Sequence, residues 1–136
     1  MDKLDTYIKK HGVEYSNALI EKKDISHIEK EIGVKMGLCL IEYLLRYGYL
    51  MFNYVELYGV TARQWLESDL VKQTVYLHRY FKQTEGLIAI ENQGEGDYYL
   101  VDSQDNVYEF DSELKKLTKT GKCLEDYIIS RFEESR

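Results

Sequence analysis

Proline is absent from the 136 residues, and cysteine, histidine and tryptophan are scarce, at two, three and one. The missing proline excludes no function. Two cysteines in an acidic chain speak against a disulfide framework and point to free thiols in a reducing cytosol. His11, His27 and His78 are scattered, and neither His-x-x-x-His nor Cys-x-x-Cys spacing occurs. No zinc site, no other metal and no cofactor is therefore expected. Long apolar runs are lacking too. The longest, Met36 to Leu45, is interrupted by Glu42 and falls far short of a bilayer's width. The opening MDKLDTYIKK has no apolar stretch and no small-residue cleavage site. It predicts no secretory signal and a cytoplasmic location without membrane attachment.

Basic residues are missing altogether from one stretch. Residues 85–113 hold nine acids and no Lys, Arg or His, in a chain whose net charge is −6. The flanks are slightly positive, so the whole acidic excess lies in this segment. Nucleic-acid binders need a basic stripe to neutralise phosphates, and this segment repels phosphate, so nucleic acid is excluded as a partner. Two readings stay open. A one-signed patch steers a basic protein partner, or it is a solvated sheet face that keeps the chain soluble.

What is present suffices for one core. Apolar residues make up 44% of the chain and aromatics 13%. A chain of this mass folds to about 7,400 Å² of surface from roughly 23,000 Å² when extended. No repeat, low-complexity tract or linker appears, so residues 1–136 read as a single domain.

Periodicity then places the elements. Asp2–Lys10 reads as a short helix presenting Leu4, Tyr7 and Ile8 and ending near Gly12. A second helix starts at Asp24 with Ile25, Ile28 and Ile32 inward, Ser26-x-x-Glu29 as its capping box and Gly33 as its stop. A third runs from about Gly37 to Arg46 with Leu38, Ile41, Leu44 and Leu45 as its stripe, closed by Gly48. Residues 49–59 are aromatic and rich in β-formers, a strand or hairpin. Thr61 opens a helical region through Trp65, Val71 and Phe81, broken near Ser68-Asp69. Leu87–Glu91, Tyr98–Val101 and Val107–Phe110 form an antiparallel meander over turns at Gly94 and Ser103, and Leu117 begins a shorter fourth strand. Lys122–Glu134 is an amphipathic helix. The predicted class is α+β: a mostly antiparallel sheet of about four to six strands, with N-terminal helices, a middle helical segment and a C-terminal helix.

Catalytic chemistry finds no foothold. Cys39 reads as a small buried hydrophobe, and Cys123, at a helix start, has no nearby histidine base. Asp102-x-x-Asp105 and Glu95-x-Asp97 fail the ligand pattern of a calcium loop. Glu109 and Asp111 look solvent-exposed, unlike a catalytic carboxylate pair. Gly94-x-Gly-Asp lacks the strand-turn-helix context of a nucleotide loop. No enzyme is expected. A small-molecule site would need a deep pocket lined by His78, Trp65 and a buried carboxylate. What remains is recognition. Thirteen tyrosines offer rings that combine apolar area with a hydroxyl. Tyr43 and Tyr127 read as core, while Tyr98 and Tyr99 must face opposite sides of one strand.

The order of motifs resembles the SUKH superfamily, bacterial immunity proteins related to yeast regulators of cell-wall synthesis. The resemblance rests on Ile28-Glu-Lys-Glu-Ile-Gly-Val-Lys, Leu45-Arg-Tyr-Gly and Glu56-Leu-Tyr-Gly, then Leu87-Ile-Ala-Ile, Gly94-Glu-Gly-Asp-Tyr-Tyr-Leu-Val-Asp and Asn106-Val-Tyr-Glu-Phe-Asp. It runs from about residue 24 to 133 and departs at Met36-Gly37, where the family has Leu-Pro. It implies helices flanking an antiparallel sheet and a non-enzymatic protein that neutralises a polymorphic toxin, often a nuclease. It fixes no catalytic residue. With the charge pattern, the expectation is a cognate toxin with a basic surface, held by Glu91, Glu95, Asp97, Tyr99, Asp102, Asp105 and Glu109. A general protein-interaction module in a regulatory complex is the alternative.

Overall fold

Glycine punctuation and apolar spacing set the helices. The computed structural model describes residues 1–62 and 65–136. Helix α1 (Asp2–His11) buries Leu4, Tyr7 and Ile8, and Gly12 ends it in the left-handed conformation at φ 66°. Strand β1 (Glu14–Tyr15) follows, a pairing too short and too exposed to leave a sequence signal. Helix α2 (Lys22–Ile32) buries Ile25, Ile28 and Ile32 and stops at Gly33. Its capping box is five residues earlier than expected: Asp24 accepts from the Glu21 amide at 2.9 Å and Glu21 caps in return. Glu29, expected in that box, instead accepts from the Met36 amide at 2.7 Å and closes the loop after α2.

Helix α3 (Leu38–Arg46) buries Leu40, Tyr43 and Leu44, whereas Leu38, assigned to the stripe by spacing, is 80% exposed. Two apolar stripes compete on this helix, and Tyr43 decides between them by donating its hydroxyl to Tyr58 O at 2.8 Å. The hairpin is β2 (Leu50–Phe52) and β3 (Val55–Leu57). A 3₁₀ turn at Trp65–Glu67 precedes α4 (Asp69–Tyr80), whose start is set by Ser68 accepting from the Val71 amide. The helical expectation over residues 63 and 64 lies outside the described residues.

The meander comprises β4 (Ile88–Asn92), β5 (Asp97–Val101), β6 (Asn106–Asp111) and β7 (Lys116–Cys123). Strand β7 is the longest in the fold, not a short fourth strand. Its lysines and threonines form an exposed edge with little apolar alternation to read. Helix α5 (Leu124–Glu134) closes the chain.

The α+β class holds, but the seven strands make two antiparallel sheets, β1-β2-β3 and β4-β5-β6-β7, not one. They touch through Tyr58 N–H donating to Ile90 O at 2.8 Å. One face of the larger sheet packs Leu87, Ala89, Leu100 and Phe110 against Leu77 of α4. The other packs Ile88, Ile90, Val101 and Val107 with Leu124, Tyr127 and Ile128 of α5. Coverage on both faces explains why Ile88 to Glu91 are all buried. The folded surface is 7682 Å², close to the value expected from mass. Among the described residues no helix is long and apolar enough to cross a membrane.

Asp105 joins the two halves. Its Oδ2 accepts from the Cys39 amide at 2.9 Å and its Oδ1 from the Leu40 amide at 3.1 Å, capping α3 from the β5–β6 turn. Its own carbonyl accepts from the Leu124 amide at the start of α5. Gly37, where the resembled family has proline, leaves room for that carboxylate: a Cβ there would lie 2.4 Å from it. We predict that Asp105→Ala lowers stability by about 1 kcal/mol. Gly37→Ala should be costly in the native background and nearly silent beside Asp105→Ala. Equilibrium urea unfolding of the four proteins checks this double-mutant cycle.

Candidate functional site

The fold uses three of the seven expected binding residues for its own purposes. Glu91 is 3% exposed and paired with Arg131, so it belongs to no accessible acidic face. Asp105 is the helix cap described above. Burial lifts its carboxyl above the ordinary range against the pull of its two amide donors. Asp102 closes the β5–β6 turn, accepting from the Gln104 and Asn106 amides at 2.9 and 3.0 Å and from Tyr108 Oη at 3.0 Å. Partial burial would raise its carboxyl, but these donors outweigh it and hold it below its usual value.

The other four remain at the surface. Glu95 is exposed at the β4–β5 turn with φ 55°. Asp97, Tyr99 and Glu109 share one sheet face, where Tyr99 Oη donates to Glu109 at 3.1 Å. Tyr98 points to the opposite face, and Tyr99 stacks on Tyr127 with ring centres 5.1 Å apart. Strand β7 lies alongside, with Lys116 opposite Asp111 and Thr118 opposite Glu109. Glu109 and Asp111 are only partly exposed, so their reading as solvent-exposed needs correction, and Asp97 is partly buried beside them. Burial, then the neighbouring Glu109 and Asp111, push the Asp97 carboxyl up to about 6.

Beyond the Tyr58–Ile90 contact, a cleft of about 750 Å³ opens, bounded by β3 and β4. Its floor is the Glu91–Arg131 pair. Arg131 Nε meets Glu91 Oε1 at 2.9 Å and Nη2 meets Oε2 at 2.8 Å, while Tyr127 Oη donates to the same carboxylate at 2.6 Å. Charge-assisted forks of this kind are rigid and directional. Burial and the adjoining Glu91 raise the Tyr127 phenol well above its ordinary range, so it stays a donor. The walls carry Tyr49, Tyr54, Tyr58, Glu56, Asp69 and Glu134. Burial pushes the Tyr58 phenol up to about 12. Among the described residues, four carboxylates therefore line the cleft against one guanidinium. A second depression of about 200 Å³ shares Gln93, Arg131 and Glu134 with it and reaches Tyr99. Cleft and sheet face thus form one continuous surface.

Sequence reasoning named only Glu91 in this cleft, and gave it the wrong role. Glu56, Asp69 and Glu134 lie outside the acidic segment, so a charge count along the chain passes over them. The usable signal was three tyrosines in residues 49–58 around one acid. The pocket imagined around His78 and Trp65 is not this one. His78 Nε2 bonds Leu87 O at 2.7 Å, and Trp65 packs partly buried on the core. Among the described residues no three His, Cys, Asp or Glu side chains gather as metal ligands. Burial pushes the Cys39 thiol up to about 12, which keeps it protonated.

Two measurements check this electrostatic picture. Glu91→Gln strands a buried guanidinium and should cost about 3 kcal/mol in denaturant unfolding. The Glu91→Leu/Arg131→Met double variant should cost less than the two single changes combined. Asp97 acts with the opposite sign from a paired acid. Its folded pKa lies above its unfolded value, so the folded chain binds the extra proton and stability falls as pH rises from about 4 to 6. Asp97→Asn should accordingly raise the Tm at pH 7, and the gain should shrink near pH 4.

No curated protein matches the chain. The SMI1-KNR4 cell-wall family, SUKH_5, matches residues 1–133. Helices around antiparallel sheets, the motif order and a match over nearly every residue agree, and the chain belongs to the SMI1-KNR4 family of the SUKH superfamily.

Proposed function

We propose that the chain is a bacterial, cytoplasmic immunity protein that binds a cognate toxin and neutralises it without catalysis. The SUKH family is generally non-catalytic, which supports a binding role. The observation that carries the reading is the cleft: among the described residues, four carboxylates against one arginine, with three tyrosines, continuous through Tyr99 with the sheet face. Tyrosine anchors ringed by charge suit a desolvated protein contact. A negative surface steers association with a positive one. A nuclease, whose site attracts phosphate, is the toxin class it fits best, and occlusion of that site is the mechanism. Of the residues first expected, Glu95, Asp97, Tyr99 and Glu109 stay on the contact surface.

The second reading is a protein-interaction module in a regulatory complex. It is favoured by an apolar patch on the outer side of α4 and the 3₁₀ turn before it, where Leu66, Tyr76 and Tyr80 are 49%, 45% and 63% exposed. Genetic context and rescue separate the two. Co-expression with a toxin encoded beside the gene should restore growth and yield a soluble complex. Reversing Glu95 and Glu109 to lysine should slow capture by about tenfold and flatten its salt dependence. Growth arrest despite ample soluble chain would contradict immunity.

A further inference from the structure

The side chains explain the charge of the cleft but not the backbone that faces it. In an antiparallel ladder, residues alternate between exchanging hydrogen bonds with the partner strand and turning N–H and C=O to the other side. At the end of β4, Gln93 N–H donates to Asp97 O at 2.9 Å, and Glu91 sits opposite Tyr99. Asn92, between them, turns its amide outward. In the β2–β3 hairpin a two-residue loop, Asn53-Tyr54, is closed by Phe52 opposite Val55. Val55 and Leu57 therefore exchange with β2, and Glu56 turns its N–H and C=O away from it. Tyr58, next on that side, spends its N–H on Ile90 O. Helix α4 covers the other end of the β4 edge: Thr74 Oγ1 accepts from the Ala89 amide at 2.9 Å, and His78 reaches Leu87 O. Among the described residues the two edges are occupied at Leu87, Ala89, Ile90 and Tyr58 and open at Glu56 and Asn92, both of which line the cleft.

Open strand edges are templates for pairing, and one beside a pocket of chosen charge recognises extended peptide. We infer that the cleft takes an extended, basic segment of a partner protein, which bonds to the free backbone of Glu56 and Asn92 and sets a Lys or Arg side chain among Glu56, Asp69 and Glu134. The occupant follows from complementarity. The buried Arg131 is already forked on Glu91 and also meets Glu134 at 2.9 Å, so it is satisfied within the chain. The rim acids, by contrast, are exposed, and Tyr49, Tyr54 and Tyr58 offer rings to the aliphatic stem of the incoming side chain. An acidic segment meets repulsion there. A helix leaves the two edges unpaired.

This inference rests on the reading of the chain as a binder of a basic protein, and the test separates the two. The probe is the acetylated, amidated peptide Thr-Lys-Thr-Lys-Thr, titrated into the full chain labelled with ¹⁵N. Amide shifts should gather at Glu56 and Asn92. Binding should weaken about tenfold when glutamate replaces both lysines, and equally in the Glu56→Lys/Asp69→Lys variant. N-methylation of alternate peptide residues should abolish the shifts, because it removes the pairing donors. Thermal unfolding confirms that the variant is folded, and Glu134→Lys, at an exposed rim position, serves as an independent second variant. No shift at Glu56 and Asn92, or equal binding by the N-methylated peptide, overturns the inference. So does capture of a co-expressed toxin by Glu56→Lys/Asp69→Lys at native strength, which would leave the immunity reading standing. Peptide shifts at both residues without toxin capture by the native chain would support the cleft and count against immunity alone.

Discussion

A single buried ion pair organises the working end of this molecule. Glu91 on β4 and Arg131 on α5 are almost fully enclosed and meet through a two-point fork, with Tyr127 donating to the same carboxylate. Two charges so enclosed are tolerable only when each satisfies the other. The pair therefore fixes the rotation of α5 over the sheet. It also positions the hairpin tip: the Tyr54 ring lies 5.9 Å from the Arg131 guanidinium, and Asn53 Nδ2 donates to Ser135 O at 3.0 Å. Floor, helix end and hairpin are held together, and the cleft keeps its shape because they are.

Much of the fold was legible because the signals were local. Gly12 and Gly33 end helices as left-handed caps, Ser68 breaks the middle segment, and the turns after Asn92 and Asp102 delimit the meander. Non-local partnership was not legible. Nothing near Asp105 in the chain announces that its carboxylate caps α3 across 65 or so residues. Nothing near Glu91 announces Arg131, 40 residues on. The division into two sheets and the two-residue β1 depend on tertiary pairing that leaves no pattern behind. Strand β7 hid for a different reason. An edge strand facing water on most of its length has no apolar period to detect.

The candidate site shows the same limit in sharper form. Linear charge density singles out residues 85–113, yet four of those acids, Glu91, Asp102, Asp105 and Asp111, are consumed in capping, turn closure and ion pairing. The exposed carboxylates of the cleft come from three separate places, Glu56, Asp69 and Glu134, that only folding brings together. The acidic, tyrosine-bearing cleft is centred between the two sheets, and the meander contributes one flank of it. The proposed contact with a basic protein would be registered along the backbone at the strand edges of Glu56 and Asn92.

Partner contact, as proposed, falls on this surface. Hydrogen–deuterium exchange of the chain, alone and in complex with a co-purified partner, tests it most directly. Slowed exchange confined to residues 54–58, 91–93 and the end of α5 is the expected result. Protection restricted to the outer side of α4, with the cleft exchanging as in the free chain, would contradict it.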